Sequence, residues 1–220
     1  MLFLPLANNG VPYTNKQLYE HWISKYFAKF GFTSKIDMWE DVNGKSEEDL
    51  NAYGGIFIIG GNTFDLISRL RVNNFIELLS KYVDKGNIIF GVSAGAIIFA
   101  KDAGTAYFGG DADTNRVGLI DLKGLDKVFG LSILCHYRSN IDDDNTYKYI
   151  RETQNNVIAL TDEGAIYVTD NFIKVLGNSD IYLFTKNERI LIKADSKITK
   201  NDINILSNVN KNNKNMLNKS

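Results

Sequence analysis

A chain of 220 residues with 25 basic and 26 acidic side chains carries a formal charge of -1, a balance that excludes nucleic-acid binding by bulk neutralisation of phosphates. A hydrophobic fraction of 44% with 12% aromatics supports a packed core and excludes disorder throughout. The single cysteine, Cys135, excludes an internal disulfide or a multi-thiolate zinc site and fits a reducing cytoplasm. No apolar run approaches the ~20 residues that cross a bilayer, and Met1-Leu2-Phe3-Leu4-Pro5-Leu6 lacks the basic start of a secretory signal, so a cytoplasmic location with no membrane partner is expected.

Residues 2–6 read as a short buried strand, followed by a turn-rich loop, Asn8-Asn9-Gly10-Val11-Pro12. A helix begins after a capping box of Thr14 and Gln17, shows an apolar stripe of Leu18, Trp22, Tyr26 and Phe30, and ends at Gly31. Ile56-Phe57-Ile58-Ile59 reads as a strand covered on both faces, stopping at Gly60-Gly61-Asn62-Thr63, where a helix starts. Phe75, Leu78, Leu79, Tyr82 and Val83 mark another helix, closed by Gly86, and Ile88-Ile89-Phe90 a second buried strand. Beyond residue 157 the pattern becomes short strands at 157–160, 166–168, 173–176, 181–184 and 190–192, which read as antiparallel strands added to one sheet edge. The expected architecture is an α/β domain over 1–195, a mostly parallel sheet flanked by helices with antiparallel strands toward the C-terminus. Residues 196–220, with the run Asn208-Val209-Asn210-Lys211-Asn212-Asn213-Lys214-Asn215, read as an Asn/Lys-rich mobile tail.

The segment that promises chemistry is Gly91-Val92-Ser93-Ala94-Gly95-Ala96, a Gly-x-Ser-x-Gly sequence between a buried strand and a helix start, the setting of a nucleophile elbow. Its alternative is a tight turn with Ser93 as a helix cap. A serine needs a base, and the chain has two histidines. His21 lies within the first helix as an ordinary boundary residue, whereas His136 follows the strand-like Leu131-Ser132-Ile133-Leu134-Cys135 and enters a polar loop. Cys135 points to the opposite side as buried filler. Asp142, Asp143 and Asp144 read as a solvated helix start; Glu163, at a turn between strand-like runs, is the better orienting acid, with Asp162 its immediate rival.

Gly60-Gly61-Asn62-Thr63-Phe64, Gly91-Val92-Ser93-Ala94-Gly95-Ala96, His136-Tyr137 and Glu163-Gly164 occur in the order seen in the dipeptidase E (α-aspartyl dipeptidase) family of serine peptidases, relatives of cyanophycinases, which this sequence resembles from about residue 3 to about residue 185. The resemblance implies a class I glutamine amidotransferase-like fold, with Ser93 as nucleophile, His136 as base, Glu163 as its acid, and the N–H groups of Gly61 and Ala94 as the oxyanion hole. It implies acyl transfer with no metal or cofactor on short peptides, dipeptides with N-terminal Asp, by a monomer or homodimer. Asn62, Arg116 and Arg138 are candidates for binding the substrate, with Arg151 a further basic residue, although no motif identifies which one meets an aspartyl side chain.

By the resemblance, the strand and helix that open the family before the segment resembling Leu2 to Ala7 are expected to be missing here, and Ser139, with Asn140 next, stands where the family often carries an asparagine. An esterase or amidase with the same triad, and an inactive relative that binds rather than cleaves, are the rival functions. Imidazole catalysis predicts that activity falls at acid pH as the ring protonates.

Overall fold

The computed structural model describes residues 1–8, 12–32 and 34–208; the expected loop at 9–11 and the tail from residue 209 lie outside them. Within the described residues the chain divides into two compact units. The first comprises Met1–Ile98 with Asp113–Leu125, and the second Phe99–Ala112 with the chain from Asp126 onward.

In the first unit, strand β1 (Leu2–Leu4) is followed by helix α1 (Asn15–Trp22), strand β2 (Asp37–Met38), helix α2 (Glu47–Asn51), strand β3 (Gly55–Ile58), helix α3 (Thr63–Arg71), helix α4 (Phe75–Asp84), strand β4 (Ile88–Gly91) and the one-turn helix α5 (Ala94–Ile97). The strands form a parallel sheet in the order β2-β1-β3-β4, with Phe3 paired to Phe57 and Phe57 to Phe90. Parallel strands need apolar side chains on both faces, and β1 and β3 are buried throughout. β4 departs from that expectation: Ile88 and Phe90 are 49% and 52% exposed. They lie on the last strand of this order, opposite Gly55 and Phe57 of β3 in the register.

The Thr14 and Gln17 capping box forms as the sequence predicts. The helix then widens into a π-turn over Ile23–Phe27, with Ala28 N–H donating to the Ile23 carbonyl. One extra residue in the turn shifts the apolar phase. Leu18, Trp22 and Phe27 therefore pack on the Phe3 and Phe57 rings, while Phe30, expected in the stripe, is 79% exposed.

The second unit contains strand β5 (Ser132–Leu134), helix α6 (Asp143–Thr153), strands β6 (Val157–Ala159), β7 (Gly164–Val168), β8 (Phe172–Gly177), β9 (Ile181–Phe184), β10 (Arg189–Ile192) and β11 (Lys197–Thr199), and helix α7 (Lys200–Asn208). β5 and β6 are parallel, and β9 and β10 extend that sheet antiparallel, in the order β10-β9-β6-β5. The expectation that all the late strands join one edge needs correcting, because β7, β8 and β11 form a separate antiparallel sheet. The expected tail is corrected too. Ile198 pairs opposite Ile173, and Ile198 and Ile203 bury themselves against the apolar cluster around Ile173 and Val175, so ordered structure runs through Asn208. No helix among the described residues is long and apolar enough to cross a membrane.

Candidate active site

In the first unit the candidate nucleophile lies at the carboxyl ends of β3 and β4, where a parallel sheet presents its loops. Ser93 follows β4 directly with φ 52° and ψ -114°, a conformation that a non-glycine residue adopts only where its surroundings impose it. Those surroundings are glycines. A Cβ on Gly91 would lie 2.1 Å from the Gly95 carbonyl oxygen, and one on Gly95 would lie 2.3 Å from the Ile58 carbonyl oxygen. The elbow is thus pressed against β3 too closely for any side chain, which is why the Gly-x-Ser-x-Gly spacing is required. The Ser93 carbonyl accepts from the N–H groups of Ala96 and Ile97, starting α5, and Ser93 is itself half-buried rather than sealed in the core. Replacing Gly95 by alanine is expected to destabilise the protein by about 2–3 kcal/mol through this collision, read as a lowered urea midpoint.

The neighbouring arm is Gly60-Gly61-Asn62. Gly60 abuts the nucleophile candidate: a Cβ there would meet Ser93 Cβ at 3.0 Å. Gly61, at φ 138°, passes so close to Ala7 that a Cβ would lie 2.4 Å from its carbonyl oxygen, and Asn62 N–H donates to that same oxygen at 2.9 Å. Asn62, expected to bind substrate, is occupied internally. Its Oδ1 accepts from Asp65 N–H as the N-cap of α3, and its Nδ2 donates to the Thr114 carbonyl. Arg116 donates from Nε and Nη2 to Asp65. The hydrogen bonds of Asp65 with Arg116 and of Asp113 with the Thr63 N–H are not legible in the sequence, because nothing in it pairs these residues with their distant partners.

In the second unit the β5 and β6 ladder decides what meets His136. The parallel register pairs Ser132 with Val157 and Leu134 with Ala159, and it continues beyond the strands as Tyr137 N–H donates to the Leu160 carbonyl at 3.0 Å. This spacing brings the 161–162 corner level with His136. The imidazole Nδ1 lies 2.6 Å from Asp162 Oδ1, with Asp111 Oδ2 at 3.8 Å. Asp162, rather than Glu163, is therefore the carboxylate on the ring. Both acids occupy the turn closed by Gly164 N–H donating to the Thr161 carbonyl, but Glu163 comes next, where its carbonyl packs against Gly177, whose Cβ would lie 2.4 Å from it. A proton on Nδ1 held by Asp162 leaves the ring lone pair on Nε2, the tautomer a base requires.

His136 has φ 55°, and Gly110 is packed on it so closely that a Cβ would lie 2.9 Å from its carbonyl oxygen. Arg138 is spoken for by Asp142, a buried carboxylate that accepts from the Arg138 N–H and from its Nε and Nη2. Arg151 lies in the last turn of α6.

Cys135 is no rival nucleophile. Burial, with the Asp162 charge adding to it, pushes its thiol up to about 12, which leaves almost no thiolate at neutral pH. Iodoacetamide at pH 8 is expected to leave Cys135 unmodified in the folded protein and to alkylate it in urea, checked by intact mass. Among the described residues no group of three or more His, Cys, Asp or Glu side chains could hold a metal ion.

The sequence model of peptidase family S51 matches residues 1–176. The chain belongs to peptidase family S51. It is accordingly a serine-type peptidase, and its fold is shared with solved structures. A Listeria monocytogenes EGD-e protein assigned as a peptidase E matches with a TM-score of 0.62 at 22% identity, over 81% of this chain and 86% of that one. A peptidase from an acI-B1 actinobacterium matches with a TM-score of 0.64 at 15% identity, over 90% of this chain and 82% of that one. No curated protein matches this S51 peptidase.

Proposed function

We propose that this S51 peptidase hydrolyses short peptides through an acyl-enzyme on Ser93, with His136 as its base, Asp162 as the acid that orients His136, and the N–H groups of Gly61 and Ala94 as oxyanion donors. The observation that carries this is the Ser93 backbone, held at φ 52° by glycines on both sides, a strain that a mere helix cap does not need. In the proposed reaction His136 Nε2 takes the hydroxyl proton as Ser93 Oγ bonds to the scissile carbonyl carbon. The tetrahedral oxyanion is held by the two amides, and collapse breaks the C–N bond as the imidazolium returns its proton to the leaving amine. Water, deprotonated by the same ring, then cleaves the ester and restores the serine.

The substrate class is dipeptides with N-terminal aspartate, in keeping with the likeness to a protein assigned as a peptidase E. Arg116 and Arg138, whose side chains remain 46% and 49% exposed beside their internal partners, are the cations proposed to meet the substrate carboxylate. A panel of Asp-Leu, Asn-Leu, Ala-Leu and para-nitrophenyl acetate tests this. Selective cleavage of Asp-Leu supports it; ester turnover without peptide cleavage assigns the same machinery to an esterase.

A further inference from the structure

The segment Asp113–Leu125, although distant in sequence, belongs to the first unit and is strapped along α3 at three levels. At the helix start, Thr63 N–H donates to Asp113 Oδ2 at 2.8 Å and Asn62 Nδ2 donates to the Thr114 carbonyl at 2.9 Å. In the first turn, Arg116 donates to Asp65 Oδ2 from Nη2 at 2.5 Å and from Nε at 3.1 Å. At the far end, Arg71 donates to the carbonyls of Asp121 and Lys123.

The middle tether is unlike the others. The Asp65 side chain is only 7% exposed, and a fork-to-carboxylate pair fixes orientation as well as distance. Asp65 N–H is also the donor to Asn62 Oδ1. The chain from Gly60, packed on Ser93, through Gly61, packed on Ala7, to Asn62 and Asp65 therefore ends in this pair.

We infer that the Asp65 and Arg116 pair is a positioning element for the oxyanion arm: it locks the first turn of α3, and through it the Gly61 amide, against Ser93. This rests on the proposed role of Ser93 and Gly61. Losing the guanidinium leaves a buried carboxylate that must reach water, and displacing an oxyanion donor by about 1 Å suffices to slow acylation on the order of 100-fold.

The test compares wild type, Arg116→Ala, Arg116→Lys and Arg71→Ala for the rate of covalent labelling by a fluorophosphonate, at a temperature below each melting transition, together with hydrogen exchange over residues 59–66. Arg116→Ala is expected to label about 30- to 100-fold more slowly and to exchange faster in 59–66. Arg116→Lys, which keeps the charge, is expected to recover part of the rate, and Arg71→Ala to label like wild type. Labelling of Arg116→Ala within twofold of wild type overturns the inference, even if its melting temperature falls, and so does an equal loss in Arg71→Ala. Should Arg116→Ala fail to fold, Arg116→Lys decides alone: unchanged labelling and exchange overturn the inference, and slower labelling with faster exchange in 59–66 supports it. Wild type that takes no label defeats the role given to Ser93 and takes this inference with it.

Discussion

Ser93→Ala is expected to lower peptide hydrolysis by on the order of 10⁴- to 10⁶-fold while leaving the protein folded. The size follows from the proposed mechanism: without the hydroxyl its acyl-enzyme could not form, and what would remain is the catalysis supplied by substrate binding and the proposed oxyanion donors acting on water. Folding is spared for a local reason. The Ser93 carbonyl accepts from Ala96 and Ile97, Val92 N–H donates to the Ile58 carbonyl, and close contacts run through Gly91 and Gly95; these are backbone features that alanine keeps. A steady-state assay beside a thermal melt checks both halves. Residual activity above one per cent of wild type would show that another group performs the chemistry.

Asp162→Asn carries the second large effect, a fall in kcat of about 10³- to 10⁴-fold, against a change of less than about threefold for Glu163→Gln. An asparagine can present its NH₂ to Nδ1, which moves the ring proton to Nε2 and leaves the proposed base a donor there, with no lone pair to take a proton. Glu163, with its carbonyl turned into the β7 and β8 corner, has no comparable hold on the ring. A larger loss in Glu163→Gln than in Asp162→Asn would return the acid's role to Glu163. The exposure of Asp162, 76% for its side chain, means that the substitution should act on the imidazole rather than on stability, so unchanged melting with collapsed kcat is the expected signature.

Much of this was legible in the amino-acid order. The run at Ile56 becomes a strand because continuous β-branched and aromatic residues suit a doubly covered parallel ladder, and the glycines at 91 and 95 reveal the elbow because only hydrogen fits there. The choice between Asp162 and Glu163 was not legible, since adjacent acids in one turn differ only in the direction the turn aims them. The offset between β5 and β6 makes that choice, and it is a register no local pattern encodes. β2 and β11 were missed because two- and three-residue strands such as Lys197-Ile198-Thr199 carry a single buried side chain, too little for periodicity. α2 did have a signal, since Ser46 and Asp49 form a capping box. Phe30 was misread because a π-turn alters the helical phase without marking the sequence. The Asp65 and Arg116 pair joins residues 51 apart, and no spacing rule reaches that far.

The most direct measurement is fluorophosphonate labelling of the wild-type protein, followed by proteolysis and mass mapping of the adduct. The expected result is one phosphonyl group per chain, on the peptide containing Ser93 and lost in Ser93→Ala. A folded wild-type protein that stays unlabelled, or carries the adduct on a different residue, would contradict the account.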